Sequence, residues 1–131
     1  MPDYDLDHII LEVRDPALSL AFYGDTLGLL PVREEEFTRG EIGFPSVRVG
    51  PTTLIDLFPP RIWRGSRASN PNHFALTASR VVLAEIRERL GARGIAITRA
   101  DDHNFGARGY ARSIYFDDPD GITVEVRTYE P

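Results

Sequence analysis

The 131-residue chain is 42% hydrophobic, enough to bury one sizeable core or two small modules sharing it, and too short for a long multidomain assembly. A formal net charge of −5 removes the basic field that phosphate-backbone binding requires, so nucleic acid is not an expected partner. There is no cysteine and all fifteen basic residues are arginine, which excludes disulfides, thiolate zinc sites, cysteine nucleophiles and Schiff-base lysines together.

Met1 through Asp7 carries three aspartates and no apolar run, and no stretch of about eighteen apolar residues follows. A cytoplasmic protein without a membrane partner is the expectation. Leu6 to Val13 has strand length, and Asp15-Pro16 then signals a helix start, with Asp15 as cap and Pro16 in the first turn, where no backbone donor is needed. Leu18, Ala21, Phe22 and Leu29 recur at near-helical spacing before Gly28 and Pro31 end the helix. Strands are expected over Val32 to Phe37, Phe44 to Val49 and Thr52 to Phe58, with Gly50-Pro51 as the last turn.

Pro59 to Asn72, with three prolines, a glycine and Arg61, Trp63, Arg64 and Arg67, reads as a linker or mobile loop. The pattern then restarts. His73 to Thr77 is a strand, and Ser79 caps a helix through Val82, Leu83, Ile86 and Leu90 to Gly91. Ile95 to Thr98 is predicted as a strand, Asp101-Asp102-His103-Asn104 as a polar loop, and Ala111 to Asp117 with Ile122 to Thr128 as a hairpin closed by Asp118-Pro119-Asp120-Gly121. The chain therefore states β-α-β-β-β twice, over modules 1–69 and 70–131 of one structural domain. Two copies mark a duplication and fall short of a solenoid.

Each module opens on a strand with one histidine and closes on a strand with one carboxylate: His8 and Asp56, then His73 and Glu125. Side-chain alternation supports the grouping. His8 is out of phase with Ile9, Leu11 and Val13. His73 lies opposite Phe74 and Leu76, while Glu125 aligns with Thr123 and Arg127 against Ile122, Val124 and Val126. Asp56 is less clean, because its face carries Leu54 and Phe58. A lone strand histidine is usually a hydrogen-bonded structural residue, but two at repeat-equivalent places with inward carboxylates point to a metal. Tyr115 alternates with Ile114 and Phe116 and so faces inward beside Glu125. Phe58, Trp63, Phe105 and Arg112 are candidates for the substrate pocket wall, whereas His103 falls outside the pattern.

Asp7-His8-Ile9, the helix segment Ala21 to Gly28, Asn72-His73-Phe74-Ala75 and the run Ser113 to Glu125 together resemble the vicinal oxygen chelate superfamily of glyoxalases, bleomycin-resistance proteins and extradiol dioxygenases. The resemblance spans the chain, and its last stretch is the most specific. It implies an α+β fold in which two paired βαβββ modules form a curved, half-barrel mixed sheet. It also implies one divalent metal ion (Ni, Co, Zn, Mn or Fe(II)) on His8, His73 and Glu125, and a homodimer acting on a small-molecule substrate. Glyoxalase I-like members add a fourth-strand carboxylate, here Asp56, where the family usually has the longer Glu or Gln.

Glu125, Asp56 and Tyr115 are then the expected catalytic groups. Glyoxalase I-like lyase or isomerase chemistry uses Glu125 or Asp56 as a base. An extradiol dioxygenase would use His8, His73 and Glu125 with Tyr115 beside the substrate, but Pro59 to Asn72 supplies no histidine for acid–base work. A non-enzymatic drug-binding protein of the bleomycin-resistance type would generally lack this ligand set. No Gly-x-Ser-x-Gly elbow, dinucleotide glycine loop or His-Glu-x-x-His helix is present.

Overall fold

The computed structural model describes residues 5–60 and 70–131. The backbone divides into two compact units, Met1–Asn70 and Pro71–Pro131. The first contains β1 (His8–Glu12), α1 (Pro16–Leu27), β2 (Leu30–Val32), α2 (Glu34–Thr38), β3 (Ser46–Arg48) and β4 (Leu54–Phe58). Its four strands pair in the order β1-β4-β3-β2, with β1 and β4 parallel and the other pairs antiparallel. The second contains β5 (His73–Thr77), α3 (Arg80–Ala92), β6 (Arg99–Gly106), β7 (Gly109–Asp117) and β8 (Thr123–Thr128), paired as β5-β8-β7-β6 with only β5 and β8 parallel. Each unit is thus a βαβββ module with a four-stranded mixed sheet, and the first carries one extra helical turn and a half.

Local chemistry explains the helices. Asp15 accepts a hydrogen bond from the Ala17 amide at 3.0 Å, Pro16 opens the first turn of α1, and Gly28 ends it at φ 72°, a left-handed conformation open to glycine without penalty. Ser79 caps α3 by accepting from the Val82 amide at 3.2 Å. The buried face of α1 is Pro16, Ser19, Leu20, Tyr23, Thr26 and Leu27, and Leu18 is exposed, which corrects the expected stripe of Leu18, Ala21, Phe22 and Leu29. Small Ser19 and Thr26 face the sheet, and Tyr23 is the bulk that fills the space. In the first unit Leu11, Val13, Tyr23, Val47, Ile55 and Leu57 form the core. In the second, Leu83, Ile86 and Leu90 of α3 are buried, as are Ile114, Phe116, Val124 and Val126 of the sheet. Each such side chain contributes about 1.5–3 kcal/mol when fully buried.

Two expected elements differ. The strand predicted over Val32 to Phe37 stops at Val32, and Glu34–Thr38 is the short helix α2. Three consecutive glutamates sit in its first turn, where the helix dipole favours negative charge, and they offer no apolar alternation to hold a strand. Arg33 turns the chain between them with φ 63°. The strand predicted over Ile95 to Thr98 and the loop over residues 101–104 are likewise displaced: Arg99–Gly106 is the edge strand β6. Its polar sequence is compatible with pairing on one side only, and charged residues are common on such edges.

Candidate functional site

Parallel pairing places each histidine beside the strand that holds its carboxylate. In the first unit His8 pairs with Leu54 and Ile10 with Asp56; in the second His73 pairs with Thr123 and Ala75 with Glu125. The carboxylate therefore sits two residues along the neighbouring strand on the histidine's own face in both modules, which is the register that duplication predicts. His8 Nε2 is 3.9 Å from Asp56 Oδ2, and His73 Nε2 is 3.3 Å from Glu125 Oε1. Within each unit, the described residues place no third His, Asp or Glu to hold a metal with the pair.

The preceding residue fixes each imidazole. His8 Nδ1 lies 2.7 Å from Asp7 Oδ2, and His73 Nδ1 lies 2.9 Å from Asn72 Oδ1. With Nδ1 donating to an oxygen, the Nε2 lone pair is directed to the carboxylate side, the arrangement seen in metal-ligating histidines. The Asp7 hydrogen bond, and after it the charge of Asp56, holds His8 above the usual imidazole value of 6.5.

The carboxylates are buried and differ in their partners. Asp56 is 7% exposed, and its Oδ1 accepts from Ser46 Oγ at 2.7 Å. Glu125 is 2% exposed; its Oε2 accepts from Ser113 Oγ at 2.6 Å, Arg127 Nη1 at 2.9 Å and Asn104 Nδ2 at 3.3 Å. In each case one carboxylate oxygen is held by the protein and the other faces the histidine. Each unit thus offers one imidazole nitrogen and one carboxylate oxygen, donor types suited to a borderline divalent ion such as Fe(II), Mn, Co, Ni or Zn.

Tyr115 lies directly across from Glu125 on β7, on the face that alternation predicts. Its ring meets that of His73 edge-on with centroids 5.8 Å apart, and its hydroxyl accepts from Asn104 Nδ2. Burial first, then the charge of Glu125 and a hydrogen bond with it, holds the phenol above the ordinary tyrosine value of 10.0. Asn104 reaches this position because β6 bulges: Asp101 pairs with Ser113 but Asn104 with Ala111, so one extra residue brings Asn104 onto the inward face.

The expected pocket wall is only partly assembled. Phe58 shares a face with Asp56 and packs on Phe44 at 4.5 Å between centroids. Phe105 and Arg112 project from the opposite face of their sheet to Glu125 and Tyr115, because the bulge shifts Phe105 to pair with Tyr110 and because Arg112 is out of phase with Tyr115. Those two do not line one wall with the Glu125 pair. His103 stacks flat on Tyr110 at 4.0 Å. Arg61, Trp63, Arg64 and Arg67 lie outside the described residues. Sequence reasoning assigned no role to Asp7, Asn72, Ser46, Ser113, Asn104 or Arg127. The repeated Asx-His pair was a readable signal for the first two, and the bulge that recruits Asn104 left none.

The sequence profile of the Glyoxalase/Bleomycin resistance protein/Dioxygenase superfamily matches residues 5–126. The chain belongs to that superfamily. This glyoxalase-superfamily chain is 29% identical over 126 residues to the virulence protein STM3117 of Salmonella typhimurium, covering 95% of this chain and 83% of that protein. An integron cassette protein from the mobile metagenome of V. cholerae shares its fold with a TM-score of 0.80 at 25% identity, over 99% of this chain and 98% of that one. The lactoylglutathione lyase of Agrobacterium tumefaciens has the same fold, with a TM-score of 0.72 at 21% identity over 98% and 96% of the two chains. No described helix is long and apolar enough to cross a membrane.

Proposed function

We propose that the protein is a divalent-metal-dependent enzyme of the vicinal oxygen chelate type, with His8, Asp56, His73 and Glu125 as ligands, acting on a small substrate that offers two neighbouring oxygens. The observation that carries this reading is the repeated His–carboxylate pair, each imidazole anchored at Nδ1 with Nε2 turned to a buried carboxylate. The complete set is supplied by one chain or by two copies of it, and a cytoplasmic homodimer is part of the proposal. A bound divalent ion would polarise the two substrate oxygens as a Lewis acid.

Glyoxalase I-like lyase or isomerase chemistry fits this donor set best. Asp56 or Glu125 takes the proton from the carbon next to the substrate carbonyl and returns it to the neighbouring carbon. Ser46 and Ser113 hold these carboxylates in place through Oδ1 and Oε2, so the other oxygen of each stays directed to the site. Burial of the two carboxylates strengthens the hydrogen bonds they accept. An extradiol dioxygenase is the second reading, favoured by Tyr115 lying across from Glu125 and against His73, where its phenol can hydrogen-bond a substrate oxygen. A binding protein of the bleomycin-resistance type is the third.

Metal analysis of protein purified without added metal, repeated on His8→Ala, tests the proposal. One equivalent of nickel, cobalt or zinc with hemithioacetal turnover, both lost in the variant, supports lyase chemistry, and iron with O₂-dependent catechol cleavage supports the second reading. Protein that carries no metal and takes none up refutes both.

A further inference from the structure

We infer that Arg127 is a positioning residue that commits Glu125 to presenting Oε1 alone to the site and offsets its charge, so that the site prefers an anionic substrate with two neighbouring oxygens. This rests on the metal-site reading above. Arg127 and Glu125 are two residues apart on β8, on one face, with side chains only 6% and 3% exposed. Nη1 of Arg127 donates to Glu125 Oε2 at 2.9 Å. The same guanidinium is pinned from behind by the β6–β7 hairpin, donating through Nη2 to the Asn104 carbonyl at 2.8 Å and the Gly109 carbonyl at 3.4 Å, and through Nη1 to the Phe105 carbonyl at 3.4 Å. Gly106 leaves the room, since a β-carbon there would overlap the guanidinium.

The module does not need this cation to close. In the first unit the equivalent register position, across from Glu12, is Phe58, and Asp56 has Ser46 as its hydrogen-bond donor. A second sign is that Arg127 Nε is buried with no hydrogen-bond partner, so the arginine is kept at the expense of an unmet donor. With Ser113, Arg127 and Asn104 all on Oε2, only Oε1, 3.3 Å from His73 Nε2, remains open to a metal. Because Arg127 offsets the charge of Glu125, an ion held there presents one more positive charge to a chelator than it would without the arginine, which shifts preference toward a dianionic chelator over a neutral one.

The test uses the full chain, stripped with chelator and titrated with Co²⁺, followed by oxalate as a two-oxygen dianion read through the visible absorption of the bound cobalt. Arg127→Met removes the charge, Gly106→Ala displaces the guanidinium while keeping it, and Arg127→Lys keeps a charge in place. Oxalate affinity is expected to fall at least about tenfold in the first two and to stay within a few-fold of the parent in the third. An arginine with a merely structural role would lower the melting temperature and leave oxalate affinity unmoved. Where Arg127→Met does not fold by circular dichroism, Gly106→Ala carries the comparison. Cobalt uptake with oxalate affinity within twofold of the parent in Gly106→Ala overturns the role of Arg127 alone. Failure of the parent protein to take up cobalt overturns the metal-site reading and this inference with it.

Discussion

His73 Nε2 faces Glu125 Oε1 at 3.3 Å because β5 and β8 run parallel with Ala75 across from Glu125, and the same register carries His8 to within 3.9 Å of Asp56. A duplicated βαβββ module thus builds the same polar pair twice, through backbone pairing that any in-register parallel strands would share. What differs is the support behind each carboxylate: Ser46 for Asp56, and Ser113, Asn104 and Arg127 for Glu125.

The residue before each histidine should matter to metal affinity without touching the metal. Asn72→Ala removes the acceptor 2.9 Å from His73 Nδ1 and frees the imidazole to rotate or change tautomer. Metal dissociation constants are expected to rise about 10-fold to 100-fold, as for other partners of ligating histidines. Asn72→Asp keeps an acceptor and should stay near the parent value. Equal affinities for Asn72→Ala and the parent in a chelator-competition titration would exclude this role.

Glu125→Gln should destabilise the fold even without metal. The carboxylate is buried against Arg127, and removing its charge leaves a guanidinium of 6% exposure with carbonyl acceptors but no counter-charge. Loss of one partner of a buried pair costs about 3–5 kcal/mol. Urea unfolding of the metal-free protein should show that loss at unchanged slope. His73→Ala, at a residue whose side chain is 41% exposed, should cost far less, which separates loss of a ligand from loss of the fold.

The two-module order, both helices with their caps, and the faces of His8, His73, Tyr115 and Glu125 were legible because they depend on local signals: Asp15-Pro16, Ser79, Gly28 and period-two alternation. α2 was hidden because Glu34-Glu35-Glu36 has no apolar period of either kind, so only the chain reversal at Arg33 decides it. β6 was hidden because an edge strand with a bulge breaks the alternation that identifies strands, and the same bulge sends Asn104 inward and Phe105 away. Asp56 looked doubtful between Leu54 and Phe58. Its burial is satisfied by Ser46 from the neighbouring strand, a contact that sequence spacing does not display.

Tyr115 gives the pH dependence most directly tied to the site. Its folded-state pKa is raised, by burial first and by Glu125 next, so the phenol stays protonated above the range where an exposed tyrosine ionises. Stability linked to that proton is fully present below about 10 and is lost as pH climbs through the folded-state value. A difference titration of metal-free protein at the tyrosinate absorption band, parent minus Tyr115→Phe, should therefore have its midpoint above 10. Asn104→Ala removes the hydrogen bond that lowers the value, and should move the midpoint further up. A midpoint at or below 10 in the parent would mean that solvent reaches the phenol, and Tyr115 could not then act as the proton-bearing neighbour of Glu125.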